Sequence, residues 1–525
     1  MRDRPVVFFT INDYDNLGVG YMASVLSVEG FKTEIIDPRE KKSVILDLLK
    51  SSDPLLAGFS IIFHNHIDLF IDLIDFLRKE GVNCHFTAGG HYASLKYNEL
   101  FKIIPQLDSI VRFEGEYPLL ELCLCIEKGQ EWRRIKGIAF KEKSNMKINL
   151  VWPLERELDK FPFPSRSPLK NYGFSKKFTT IIAGRGCIHN CSFCNTREFY
   201  RQASGPVKRI RKPKAVVSEM EYLFHEKECS VFLFHDDDFP IKSSAGSDWL
   251  DMFCRELERS GLNRNIIWKI NCRPDDVEEE SFIRMKKNGL FLVFLGIEDG
   301  TDTGLEKLNK NMTVARSVEG VNILKKLGIG FDYGFMLFQP VTKHRSLIEN
   351  LDFLREICGD GYTPVTFLKL LPLYETRVEK ELSKAGRLNY TNGIGDYEFI
   401  EESMNQYYKF ITESLAKWLR DPYGVENIAK WTRNYFLVFF HYFDTNDRVM
   451  KLYYDFNKII SESNLYLLDN MKELSEIFES GKYLDKPEIL ETYRDDISSK
   501  HKMFLADIQS IAKQLLAQKQ NSEVA

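Results

Sequence analysis

Residues 184–195 read GRGCIHNCSFCN, with Cys187, Cys191 and Cys194 separated by three residues and then by two. The preceding TTIIAG is a short apolar run that predicts a strand, so the thiols fall in a loop at a strand's C-terminal end. Five further apolar runs follow, VFLFHD, IIWKIN, FLVFLGIE, FDYGFMLF and VTFLKLL, ending in polar or unusual residues and separated by helical segments. Six strands alternating with helices predict an α/β domain, a partial (β/α)6 barrel of the TIM type, with its active site at the C-terminal strand ends. After about residue 395 the strand signal stops, and helical periodicity rich in aromatics runs to the end. The stripe YFLVFFHYF there reads as bundle core.

Upstream, from Val6 to about Gly129, apolar runs alternate with amphipathic segments: VVFFTI, TEIID, LLAGFSII, HFTAGG and SIVRF are each followed by a helical stretch. That alternation predicts a parallel sheet covered on both faces, a Rossmann-like domain. KGIAF and KINLV, flanking Ser144 and Asn145, read as a hairpin that closes it. The following stretch mixes prolines, serines and charges and suits neither a helix nor a central strand. The expected division is therefore 1–151, a linker at 152–176, a barrel at 177–395 and a helical domain at 396–525. A chain of 525 residues exceeds what one core organises, which agrees with several domains.

The net charge of -4 gives no bulk attraction to nucleic acid, and the basic run VKRIRKPK at 207–214 reads as a solvated face. No apolar stretch approaches the ~18 residues that span a bilayer, and MRDRPVVFFTIND suits a first strand better than a signal peptide. The expectation is a cytoplasmic protein. Seven of the ten cysteines lie in apolar or helical contexts and read as small buried hydrophobes.

The clustered three need another account. Three thiolates suit zinc or an iron-sulfur cluster. Structural zinc prefers four ligands, commonly in CxxC pairs; no second pair completes the set, and His189 between two cysteines is a weak fourth ligand. A four-iron cluster held by three thiolates would leave one iron open to a substrate or cosubstrate.

CIHNCSFC also fits the CxxxCx(aromatic)C signature, with Phe193 at the aromatic position, and so resembles the radical S-adenosylmethionine superfamily. The resemblance continues through VFLFHDDDF (231–239), WKINCRPDDV (268–277), GIEDG (296–300) and NKNMT (309–313). It implies a [4Fe-4S] cluster on Cys187, Cys191 and Cys194, with S-adenosylmethionine bound at the open iron and split to a 5'-deoxyadenosyl radical. It further implies that Phe193, Asp237, Arg273 and Glu298 contact S-adenosylmethionine: a guanidinium suits a carboxylate, and a carboxylate suits ribose hydroxyls. Taken alone, Asp236, Asp237 and Asp238 read as solvated loop charges. The segment LKLLPLYETRVEKEL is similar to a family ending that usually has Pro-Gly-Thr, but Tyr374 and Glu375 stand where small residues are usual.

The first domain resembles the cobalamin-binding domain of cobalamin-dependent radical enzymes through NLGVGYMASVLSVEGF, LLAGFSI, TAGGHYAS and FEGEYPLLEL. This implies cobalamin beside Asp15, Gly18, Ser60, Gly89, Gly90, His91 and Glu114. Where other cobalamin domains place a ligand histidine, the run Asp13-Tyr14-Asp15-Asn16-Leu17-Gly18 has Asp15. A carboxylate is a harder, weaker ligand for cobalt, so the lower face is expected to lack a protein nitrogen. The resemblance makes methylation of an unactivated carbon of a small molecule the leading reaction, with an external electron donor such as flavodoxin or ferredoxin and no membrane or nucleic-acid partner. Two other readings are a radical cyclase or rearrangement enzyme in which cobalamin passes no methyl group or is absent, and a zinc-held binding protein.

Overall fold

The computed structural model describes residues 3–143, 145–241, 248–391 and 394–522; Ser144, in the expected hairpin, lies outside them. The first strands are β1 (Val6–Phe9), β2 (Thr33–Ile36), β3 (Leu56–Ser60), β4 (His85–Gly89), β5 (Ser109–Val111), β6 (Ile138–Glu142) and β7 (Asn145–Ile148). They are followed by β8 (Lys170–Gly173), β9 (Lys176–Ile181), β10 (Gly184–Arg185), β11 (Arg209–Ile210), β12 (Cys229–Phe234), β13 (Ile267–Cys272), β14 (Leu290–Glu298) and β15 (Gly330–Phe335). The chain forms two compact units: Met1–Leu169 with Thr179–Glu219 and Leu371–Asp396, and Lys170–Phe178 with Met220–Leu370 and Tyr397–Ala525.

In the first unit the strands form one sheet in the order β2-β1-β3-β4-β5-β6-β7. The first five are parallel, and β6 and β7 add an antiparallel hairpin at the edge. VVFF and LAGFS are buried almost throughout because helices cover both faces, as a parallel sheet requires. The stacked rings of Phe9 and Phe59, 5.2 Å apart, belong to the core on one side. Strand order reverses at β1, whose neighbours are β2 and β3. A crevice at the C-terminal strand ends is the geometric consequence.

The segment Leu371–Asp396 belongs to this unit. Tyr374 is buried in the core cluster of the parallel sheet, its hydroxyl donates to the Ile62 carbonyl at 2.7 Å, and its ring meets Tyr92 edge-on. A large side chain at this position is thus a plug into the domain core. Glu375 adopts φ +66, a left-handed conformation that favours glycine. Its N–H donates to Glu379 Oε2 at 2.6 Å, while Thr376 caps the helix Arg377–Lys384.

In the second unit a six-stranded half-barrel sheet runs β15-β14-β13-β12-β9-β8. β12 to β15 are mutually parallel, and β8 is an antiparallel edge strand formed inside the proline-rich stretch before the barrel. VTFLKLL, expected as a sixth barrel strand, lies along β15 through Leu368 N–H to Phe335 O (2.9 Å) and Leu370 N–H to Phe338 O (2.8 Å), with one bridge rather than a ladder. Pro364 and Pro372 bracket it; proline has no N–H to donate and interrupts a ladder.

The C-terminal helices Val425–Tyr442 and Asp447–Ser480 bury the aromatic stripe, with Phe436 against Tyr453 at 5.1 Å and Phe456 at 5.6 Å. The stripe is bundle core. Arg433, 1% exposed, ties this bundle to β15 through Asp332 Oδ1 (2.8 Å) and the Phe331 carbonyl (2.6 Å). Among the described residues no helix is long and apolar enough to cross a membrane.

Because Glu375 sits in a glycine-favouring conformation and its pairing with Lys96 and Lys380 is partly exposed, Glu375→Gly should raise stability by about 0.5–1 kcal/mol in denaturant unfolding. A lower unfolding midpoint for this variant would show that the side chain matters more than the backbone.

Candidate functional site

The loop that carries Cys187, Cys191 and Cys194 is held from both ends. Before it, β10 pairs antiparallel with β11, and two glycines permit the contact. A Cβ on Gly184 would lie 2.5 Å from the Arg209 carbonyl, and one on Gly186, at φ +80, would lie 2.0 Å from that of Val207. Within the loop the Cys194 N–H donates to the Cys191 carbonyl at 3.2 Å, and Arg197 donates to the Ile188 carbonyl at 3.3 Å. Past the second cysteine, Val378 N–H donates to the Ser192 carbonyl at 3.2 Å. None of the three thiols is in a disulfide, all are half-buried, and Phe193 is half-buried too. Thiols at this spacing in a backbone-locked loop fit an iron-sulfur cluster.

Arg185, two residues before Cys187, enters a buried ion cluster. It donates to Glu114 Oε1 (3.1 Å) and Glu116 Oε1 (2.7 Å), and Arg209 grips Glu114 with two bonds of 2.8 Å. Burial alone raises the Glu114 pKa, but the charge of Arg185 and the hydrogen bonds from Arg209 hold it below the usual carboxylate range. The structure therefore places Glu114 in a bridge between β5's loop and the cysteine loop. Arg211 similarly holds Glu219 (2.6 Å) and Asp159 (3.2 Å). These partners correct the reading of VKRIRKPK as a solvated face: Arg209 and Arg211, on alternate positions of a short extended segment, point inward and are 3% and 4% exposed. A charge run read without strand periodicity conceals that alternation.

The other residues expected near cobalamin follow the C-terminal ends of β1, β3 and β4. Asp15 Oδ2 accepts from the Thr179 hydroxyl at 2.7 Å, and Arg166 donates to the same hydroxyl at 2.9 Å. Asn16 caps the helix Leu17–Val28 and donates to Ser60 Oγ at 3.1 Å, so Ser60 and the helix start are fixed together. Sequence reasoning passed over Asn16, although an Asn before an apolar helical run is a cap signal. Gly90, at φ +107, packs so tightly that a Cβ would meet the Ile61 carbonyl at 2.6 Å. His91 stacks on Phe199 with ring centroids 4.0 Å apart, and burial pushes its imidazole down to about 4, so it is neutral. Gly18 is exposed and Gly89 half-buried, leaving bare backbone at strand ends where a large ring can approach; this fits cobalamin.

In the second unit the third-strand, fourth-strand and NKNMT motifs converge. Arg273 holds Asp275 in two bonds of 2.8 and 2.9 Å and donates to the Lys310 carbonyl at 2.6 Å, and Lys310 Nζ donates to Glu298 Oε1 at 3.2 Å. Glu298 follows a register shift in β14 and adopts φ +74, a conformation that persists where surrounding structure enforces it. Lys310 is the residue whose role the motif alone did not show. Trp268 is fully buried, donating to the Asn288 carbonyl at 2.7 Å, and is a core residue. Asp236 is buried and its carbonyl accepts from Asn271 at 3.3 Å, while Asp237 beside it is exposed.

A Rossmann-type sheet with open strand ends and a three-cysteine loop in one unit, and a half-barrel sheet in the other, define a two-cofactor enzyme architecture. The comparisons agree: residues 6–123 match the B12 binding domain and residues 181–354 the radical SAM superfamily. The chain is 26% identical over 413 residues to an uncharacterized methyltransferase of Pyrococcus horikoshii, covering 78% of this chain and 86% of that protein. It is 27% identical over 344 residues to the anaerobic magnesium-protoporphyrin IX monomethyl ester cyclase of Cereibacter sphaeroides, covering 62% of this chain and 54% of the cyclase, so it spans about half the cyclase's length. It shares its fold with the cobalamin-dependent S-adenosylmethionine radical enzyme OxsB, with a TM-score of 0.68 at 16% identity, covering 96% of this chain and 84% of that one. The chain belongs to the radical S-adenosylmethionine enzymes that carry a cobalamin-binding domain, whose cofactors are a [4Fe-4S] cluster, S-adenosylmethionine and cobalamin.

Glu114→Gln removes the carboxylate that Arg209 grips and leaves Arg185 with Glu116 alone, and the expected loss is about 3 kcal/mol in urea unfolding. Because the folded-state pKa of Glu114 lies below its unfolded value, its contribution is complete above the ordinary carboxylate range and fades as pH falls through the lowered value. The variant should therefore lose acid sensitivity as well as stability. An unchanged midpoint would remove Glu114 from this role.

Proposed function

We propose that this protein is a cobalamin-dependent radical methyltransferase acting on an unactivated carbon of a small molecule. The supporting observation is the presence in one chain of a B12 binding domain and a locked loop with three cysteines at this spacing. When bound, the cluster supplies the electron that splits the sulfonium of S-adenosylmethionine, and cobalamin carries the methyl group.

The chain's residues do the rest. Cys187, Cys191 and Cys194 would hold the cluster, and the hydrogen bonds inside the loop fix their spacing. Phe193 would shield the loop, and the exposed Asp237, three residues past β12, would meet the cosubstrate's polar groups. Glu298 has one oxygen bound to Lys310 and offers the other to ribose hydroxyls, while Arg273, braced by Asp275, supplies a guanidinium suited to a carboxylate. Gly18, Gly89 and Gly90 give cobalamin backbone rather than side chains, and Asp15, Ser60, His91 and Glu114 set the loops around it. Asp15, which accepts from Thr179, would offer cobalamin a carboxylate rather than an imidazole at that position. A reduced flavodoxin or ferredoxin serves as the electron donor, and cysteines without a disulfide suit a reducing cytoplasm.

A second reading, radical cyclisation without methyl transfer, is favoured by the similarity to the monomethyl ester cyclases. The two separate on one measurement. Anaerobically reconstituted protein with cobalamin, a strong reductant and S-adenosylmethionine should yield both 5'-deoxyadenosine and S-adenosylhomocysteine, and Cys191→Ala should reduce bound iron and 5'-deoxyadenosine to background. Formation of 5'-deoxyadenosine with no S-adenosylhomocysteine rejects methylation in favour of cyclisation. Absence of both rejects radical chemistry.

A further inference from the structure

One face of the half-barrel sheet is built from residues that alternate along the strands. In β13, Lys269 and Asn271 are half-buried between buried neighbours, and in β15 Asp332 and Gly334 repeat the pattern. Register sets Asn271, Phe294 and Asp332 side by side across three strands, with Gly296 beside Gly334 one step further on. Phe294 lies mid-strand yet is 38% exposed, so this face is not filled by side chains packed over it. The adjacent glycines deepen it: a Cβ on Gly334 would meet Glu298 Oε2 at 3.3 Å and the Phe294 ring at 3.4 Å. The result is a concave floor bounded by the Glu298–Lys310 pair at one end and by Lys269 and Phe294 at the other.

The cations around this floor differ in how they are satisfied. Arg273 has Asp275, Lys310 has Glu298, and Arg433 has Asp332. Lys369 donates to the Tyr397 carbonyl and lies over the rings of Tyr397, Phe399 and Tyr408. Lys269 has the Asn271 side-chain oxygen at 2.6 Å and the Phe294 ring at 5.6 Å, and among the described residues no carboxylate lies within ion-pair distance. The nearest acid that senses it, Asp332, is engaged by Arg433. Burial lowers the Lys269 pKa to about 8, so the ammonium persists at neutral pH at a cost that an arriving anion would relieve.

We infer that Lys269, Asn271 and Phe294 form a substrate subsite for a carboxylate or phosphate attached to a flat apolar skeleton, the anion on Lys269 and the skeleton on Phe294. Four residues of strand, about 13 Å, separate Phe294 from Glu298, which suits a compact molecule reaching from the subsite toward the cosubstrate end. The inference rests on the half-barrel being the catalytic chamber of the proposed enzyme. It narrows the substrate to an anionic small molecule.

The test uses the reconstituted protein and a matched pair of probes, indole-3-acetate and the uncharged indole-3-acetamide, titrated by calorimetry in the presence of S-adenosylmethionine. The acetate should bind at least fivefold more tightly than the amide. Lys269→Gln should abolish that preference, Lys269→Arg should keep it, and Phe294→Ala should weaken both probes alike. Equal preference in the wild type and Lys269→Gln would overturn the subsite. So would a Lys269→Gln effect confined to S-adenosylmethionine affinity, since the anion served would then be the cosubstrate's own carboxylate.

A measurement on the unaltered protein guards against a misfolded variant: acylation of Lys269 by an activated ester, read by peptide mass spectrometry, should slow at least fivefold with indole-3-acetate and stay unchanged with the amide. Equal rates in the two would count against the inference. Wild-type protein that yields 5'-deoxyadenosine but shows no charge preference sinks the subsite alone, whereas protein that yields none sinks the functional reading first.

Discussion

The first unit depends on one buried carboxylate. Glu114 takes three hydrogen bonds from two guanidiniums, and those arginines stand on the two strands that enclose the cysteine loop. Ion pairs away from water repay little net stability, because desolvating each charge consumes most of the attraction. What they provide is position: a buried charge displaced from its partner is costly, so only one arrangement of β5's loop and the cysteine loop satisfies all of them. The carboxylate of Glu116 and the stacked His91–Phe199 pair restrict the same neighbourhood further. A thiolate triad that must match an inorganic cluster needs such restriction, since loops are otherwise the most mobile part of a fold.

The second unit solves a different problem with the same means. Its polar residues at the strand ends are satisfied by one another: Arg273 by Asp275 and the Lys310 carbonyl, Lys310 by Glu298, Asp332 by Arg433. Each pairing orients a charged group by a neighbour it cannot leave. The left-handed backbone at Glu298 and the glycine pair beside it keep that region free of bulk. Lys269 departs from this economy, having an amide where its neighbours have carboxylates.

Much of this was legible in the sequence because the signals were local. Cysteine spacing, strand–helix alternation and the order of the motifs depend on neighbours within a few residues, and they give the two sheets, the cofactors and the aromatic bundle. What escaped depends on where side chains point after folding. VKRIRKPK reads as a surface charge run until β11 turns Arg209 and Arg211 inward onto acids far away in the chain. VTFLKLL has strand composition, but the bracketing prolines leave it a single bridge. Glu114 and Ser60 were noticed for a ligand, and their nearest partners in the fold are Arg209 and Asn16.

Tyr374 and Glu375 show the same limit from the other side. Against a family ending of small residues they read as departures, yet they do opposite things. Tyr374 fills space in the domain core and satisfies the Ile62 carbonyl, so its bulk has a structural use there. Glu375 adopts the left-handed conformation that glycine takes freely, so the backbone here holds a geometry that its own side chain does not favour. The shape of this turn is therefore set by what surrounds it: the Glu379 carboxylate holding its N–H, the Thr376 cap, and Tyr374 anchored in the core. Conformation enforced by its surroundings can outlast a change of residue type, which is why a motif can be broken in sequence while its turn remains in the fold.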